Sequence, residues 1–251
     1  MSNRKNPMKM IRTLSVLVAF SLMFISCGND EQDLTINFKL TYDGEPLVLF
    51  TDYEYPSGKT INFTRVSFYL SEVELVSAGT ATELIDVDYI DLTMSNIDES
   101  SSREGYDYVL RNMGELNYDG IRFNIGLTPE MNSTLPSQYD SSHPLALTSE
   151  YWVGWMSYIF AKIEGNMDFD NDGSLEQGIA LHLGADAALR NIEISNLNNQ
   201  ENIDITIDLK DVFEQESIYD IEGTPRIHSL SHVNQTNELM DNLVRSIRVT
   251  Q

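Results

Sequence analysis

"TRVSFYLSEVELV", residues 64–76, sets the fold class of this chain. Val66, Phe68 and Leu70 fall on one parity, and Val73 and Leu75 fall on the other. That is the period-two pattern of a strand carrying one extra residue near Ser71, as a β-bulge would insert. The same short alternation returns in "LTINFKL" (34–40), "ATELIDVDYIDL" (81–92), "DGIRFNIGL" (119–127), "QGIALHLG" (177–184), "NIEISNL" (191–197), "ENIDITIDL" (201–209) and "SIRV" (246–249). Gly, Asn, Asp and Pro separate these runs, as turns between strands require. Helix is expected only near the C-terminus, in "NQTNELMDNLVRS" (234–246), where Leu239, Leu243 and Ile247 recur at fourfold spacing after an Asn/Thr start. Residues 94–107 are polar and Ser-rich, and residues 128–150 hold Pro129, Pro136 and Pro144, so both read as long loops. The expectation is one all-β domain over residues 34–251, an antiparallel β-sandwich with long loops and one short helix near the C-terminus.

The start of the chain reads as an export signal. Arg4, Lys5, Lys9 and Arg12 precede the apolar run "TLSVLVAFSLMFIS", which is too short to span a bilayer comfortably and ends beside Cys27. Cys27 is the single cysteine, so an intramolecular disulfide is excluded. "FISC" resembles a Bacteroidota-type lipobox, which implies that residues 1–26 are removed and that the Cys27 thiol is acylated with palmitate-type chains. An acidic tether, residues 27–33, would then join a membrane anchor to the domain. The expected location is the cell envelope, lipid-anchored to the outer membrane and facing the periplasm or the medium.

Loss of the leader removes 4 of the 16 Lys and Arg and none of the 39 acids, taking the net charge from −23 to −27. Phosphate recognition depends on clustered Lys and Arg, so neither nucleic acid nor anionic lipid headgroups are expected partners. Cations are the natural counter-species. "DFDNDGSLE" sets Asp168, Asp170, Asp172, Gly173, Ser174 and Glu176 at positions 1, 3, 5, 6, 7 and 9 of a calcium loop. Ile179 stands where an EF-hand needs a bidentate Glu, and the flanks read as strands. A hairpin loop binding calcium and a plain Asp/Asn/Gly turn both remain open.

No G-x-S-x-G elbow, phosphate loop, H-E-x-x-H or dinucleotide fingerprint occurs, so no catalytic activity is expected. Both tryptophans fall in "HPLALTSEYWVGWMSYIFAKIEG" (143–165), close after one of four histidines. Residues 151–163 are apolar on both parities, as in a strand covered on two faces or a short buried helix, the latter weakened by Gly154. In a regular strand, with no bulge at Gly154, Trp152 and Trp155 would point to opposite faces, so at most one indole belongs to a site and the other to the core. His228 and His232 stand four apart, a spacing that matters on a helix. Pro225 and the serines suggest an extended loop instead.

"FTRVSFYLSEVELV", "VDYIDL", "DGIRFNIGLTPEMN", "HPLALTSEYWVGWMSYIFAKIEG" and "IALHLG", in that order, resemble the MbnP family of exported bacterial copper-binding proteins. The resemblance implies a β-sandwich and a copper site of imidazoles with a tryptophan oxidisable to kynurenine. It also implies a MauG-type di-haem peroxidase as partner for that oxidation. Carried onto this sequence, the copper candidates are His143, His182, Trp152 and Trp155, for metal acquisition, storage or sensing. The competing expectation is a calcium-stabilised adhesion or scaffold lipoprotein with no copper site.

Overall fold

A computed structural model describes residues 32–153 and 155–250, so the leader and Cys27 lie outside the described residues. Two sheets pack face to face. The smaller contains β1 (Leu34–Tyr42), β2 (Glu45–Pro46), β6 (Tyr106–Leu110), β12 (Asn202–Asp208) and β14 (Ile247–Thr250). The larger contains β3 (Asp52–Glu54), β4 (Thr60–Ser77), β5 (Thr80–Asp91), β7 (Gly120–Ile125), β9 (Ser157–Met167), β10 (Gln177–Gly184), β11 (Arg190–Ser195) and β13 (Arg226–Ile227), with β8 (Tyr151–Trp152) folded onto β9. The alternating apolar residues of the sequence form the shared core: Ile36 and Phe38 of β1, Phe68 and Leu70 of β4 and Ile205 of β12 are all buried.

β4 is the hub. It pairs with β3, β5, β7 and β9, and its register slips between Ser71 and Glu74. Glu72 takes φ +48 there, so the parity shift read from Leu70 to Val73 is a real bulge. Most pairs are antiparallel, but β1 runs parallel to β12 and β10 parallel to β13. Both sheets are therefore mixed. Alternation encodes which face is buried and carries no information on strand direction, which depends on where each crossover returns.

α4 (Val233–Ser246) is the helix expected near the C-terminus. Three shorter helices replace stretches expected as loop or strand. α1 (Glu99–Glu104) starts at Asp98, whose carboxylate accepts from the Ser101 N–H at 3.0 Å, and ends at Gly105 with φ +82. α2 (Pro129–Asn132) is capped by Thr128, and α3 (Leu209–Phe213) by Asp208. Helices of one or two turns are too short to print a 3.6-residue period, and their N-caps are the legible signal.

The segment 128–150 is a packed cover, not a free loop. After α2 it makes three 3-10 turns and lies on the outer face of the larger sheet. The Tyr158 hydroxyl donates to the Leu145 carbonyl at 2.8 Å and the Tyr69 hydroxyl to the Pro144 carbonyl at 3.2 Å. Burial pushes both phenols above their ordinary pKa, which keeps them neutral donors. Lys162, on β9, donates to the Ser149 carbonyl at 2.9 Å, and its Nζ lies 2.8 Å from Oε2 of Glu150, a carboxylate only 1% exposed. This anchored cover leads directly into β8 and Trp152.

Candidate metal centres

The opening apolar stretch folds as a hairpin and not as one continuous strand. Trp152 of β8 pairs with Ser157 of β9, the Trp155 N–H donates to the Trp152 carbonyl at 3.0 Å, and Met156 takes φ +51. The strand reading placed the indoles on opposite faces of one ribbon. The turn separates them in a different way. Trp155 is half-buried against the core and lies on Gly184, where an added Cβ would sit 2.3 Å from the indole Cζ3 and 2.7 Å from the Tyr158 carbonyl oxygen. Its Nε1 is buried without a hydrogen-bond partner. Trp152 is 42% exposed, and its ring meets the imidazole of His228, with centroids 5.9 Å apart.

His228 in turn lies 6.3 Å from the ring of His232. The chain leaves β13 at Ile227 and bends through a 3-10 turn, Leu230–His232, before α4 begins. That bend makes neighbours of two histidines four apart, a result the extended reading of this loop did not allow. The sequence hint was the spacing of four itself, against which Pro225 and the serines argue for an extended loop. His232 Nδ1 is buried and has no hydrogen-bond partner, although an imidazole nitrogen normally finds one when it is shielded from water.

Two imidazoles on one ion, with nitrogen–metal bonds of about 2.1 Å and ring radii of about 1.2 Å, can have centroids up to roughly 6.5 Å apart. The spacing of His228 and His232 falls inside that reach. Neutral imidazole suits copper, so the donor types fit the ion.

The other candidate histidines have different neighbours. His143 stacks on Tyr139 with centroids 4.3 Å apart, and its Nδ1 accepts from the Leu145 N–H at 3.1 Å, capping the 3-10 turn Pro144–Ala146. His182 lies on β10 between the buried Leu181 and Leu183, on the opposite face, as its alternation implied. Its Nε2 is 2.7 Å from Oε1 of Glu164. That hydrogen bond, followed by the charges of Lys162 and Arg65, holds the Glu164 carboxyl below the usual carboxylate range. The structure brings neither His143 nor His182 into ring contact with Trp152; His228 occupies that position.

At the far end of β9, the acidic loop between β9 and β10 gathers carboxylate oxygens of Asp168, Asp170, Asp172 and Glu176 within 4.8 Å of one another. Among the described residues this is the one group of three or more such ligands so close together. Asp168 is 3% exposed and accepts from the Gly173 and Asp172 N–H groups at 2.8 and 3.2 Å. Its burial opposes ionisation, but donors from Gly173, Asn171 and Asp172 outweigh it and hold the carboxyl below the usual range. Asp172 accepts from Ser174, and Glu176 from Phe169, so the loop is ordered by its own acids. Asn171 at φ +60 and Gly173 at φ +92 make the sharp turn. Ser174 sits at the seventh position as expected. β9 spans about 33 Å, so this loop and the tryptophan hairpin occupy opposite ends of the domain.

Comparison with known proteins agrees with this architecture. The structure titled MbnP from Methylosinus trichosporium is similar, with a TM-score of 0.53 at 16% identity, covering 75% of this chain and 79% of that one. At that identity the likeness is one of fold. No curated protein gives a significant match. The model of the MbnP family matches residues 31–230, from just before β1 through His228 and as far as Leu230, and the chain therefore belongs to the MbnP family.

Proposed function

We propose that this chain is a lipid-anchored protein of the bacterial cell envelope that binds copper through His228, His232 and Trp152, for acquisition, storage or sensing and without turnover. The observation that carries the reading is the contact series Trp152, His228, His232, with a shielded and unpartnered nitrogen on His232. Leaving such a nitrogen unsatisfied costs about 1–3 kcal/mol, which ligation would remove. Family membership supports copper, with imidazoles and an oxidisable tryptophan as its donors. The exposed indole of Trp152 is open to an external oxidant. A MauG-type di-haem peroxidase is the partner of that chemistry, and an oxidised Trp152 would offer a carbonyl or amine beside the two imidazoles. Cys27 supplies the anchor, to the outer membrane.

Copper titration of the mature chain purified from its host, with intact mass of the same sample, tests this. Loss of uptake in His228→Ala/His232→Ala, with uptake kept in His143→Ala/His182→Ala, is the expected result. The reverse pattern moves the site to the pair chosen from sequence. No uptake, together with unmodified indoles, removes copper altogether.

One observation favours a second reading, a calcium-stabilised adhesion or scaffold lipoprotein: the four carboxylates of the acidic loop, on a turn built for hard oxygen ligands. Calcium-dependent stability without copper uptake would select it.

A further inference from the structure

The tryptophan hairpin and the start of the domain share one end of the sandwich. Phe38 packs on Phe68 at 5.5 Å and Tyr42 on Phe63 at 5.8 Å, so β1 runs antiparallel across β4 and its first residue, Leu34, lies over the Glu72 bulge. β9 pairs with β4 through Phe68 and Ala161, which brings Ser157 to the same level. The turn after β13 reaches this end as well, because β13 runs parallel to β10 toward Gly184.

Four apolar side chains face solvent here: Trp152 at 42%, Val153 at 79%, Met156 at 77% and Leu230 at 62% exposed. Cys27 precedes Gln32 by five residues, a span of at most about 18 Å even when fully extended. We propose that this tip rests on the lipid surface that holds the anchor, with Val153 and Met156 entering the boundary between headgroups and acyl chains and Trp152 at its edge. The inference rests on the acylated Cys27 of the proposed function.

A bilayer is favoured as the occupant because the tether holds it next to the tip, which makes even a weak contact intramolecular. Trp is also suited to an interface that is apolar on one side and wet on the other. A second exposed apolar group, Phe50, Met94 and Ile97, lies at the opposite end, where the Phe50 N–H donates to the Phe63 carbonyl and the Leu49 N–H to the Asn96 carbonyl. The tether gives it no membrane to meet.

The chain has two tryptophans, both in this hairpin, so intrinsic emission reports the tip alone. The acylated mature chain is reconstituted into phosphatidylcholine vesicles with and without dibrominated phosphatidylcholine. Quenching by the brominated lipid, lost in Val153→Ser/Met156→Ser and kept in Phe50→Ser, is expected. Equal emission in both vesicles, with acyl chains on Cys27 verified by intact mass, overturns the tip contact and leaves the anchor standing. A mass without acyl chains overturns both.

Discussion

Lys162→Met is the sharpest test of how the cover over the larger sheet is held. Lys162 and Glu150 are 6% and 1% exposed at the side chain and 2.8 Å apart, so the substitution leaves a carboxylate shielded from water. Removing one partner of a buried pair typically costs 3–5 kcal/mol. Arg65 remains 3.5 Å from the other Glu150 oxygen and offsets part of that, so a loss of about 3 kcal/mol is expected. Glu150→Gln in the same chain removes the stranded charge. The double variant then lacks chiefly the donor to the Ser149 carbonyl, a loss of about 1 kcal/mol. Urea unfolding with a common m-value reads the difference, and thermal unfolding should fall by about 2–4 °C per kcal/mol for a domain of this size. The double variant should be the more stable of the two. A Lys162→Met cost below about 1 kcal/mol, or a double variant no better than the single, refutes the buried-pair account.

Three further outcomes follow from the same geometry. Gly184→Ala forces a Cβ against the Trp155 ring and the Tyr158 carbonyl, so it should destabilise by about 1–3 kcal/mol and shift the tryptophan emission, both read in one unfolding series. Glu164 has its folded pKa lowered by His182, so its contribution is present above the ordinary carboxylate pKa of about 4.3 and is lost as pH falls through the lower folded value. His182→Gln should flatten the stability curve in that acidic window. Calcium should raise the melting temperature of the wild type, by up to about 2.7 kcal/mol of added stability at a hundredfold excess over Kd, and not that of Asp168→Asn; calorimetric titration checks binding directly.

The period-two runs determined most of the strands and their core-facing sides, because side-chain alternation is a local property: Ile36 and Phe38, Val66, Phe68 and Leu70, and Ile203, Ile205 and Ile207 are buried as the pattern requires, whereas the burial of Ser67 and Tyr69 on the other face comes from the 128–150 cover. The bulge at Glu72 was legible for the same reason, as a change of parity. The clustering of the acidic loop was legible too, since its four carboxylates come from nine consecutive residues. What only the tertiary structure decided depends on which distant segments meet. Apolar residues on both parities at 151–163 suited a covered strand, and the hairpin at Trp152 became visible only with β8 folded onto β9. His143 and His182 flank the tryptophans in motif order, yet the chain path seats one on Tyr139 and the other on Glu164. His228 reaches Trp152 from about seventy-five residues away because β13 runs parallel beside β10. Parallel pairing and the bend after Ile227 leave no trace in local periodicity, so that juxtaposition is a property of the folded chain alone.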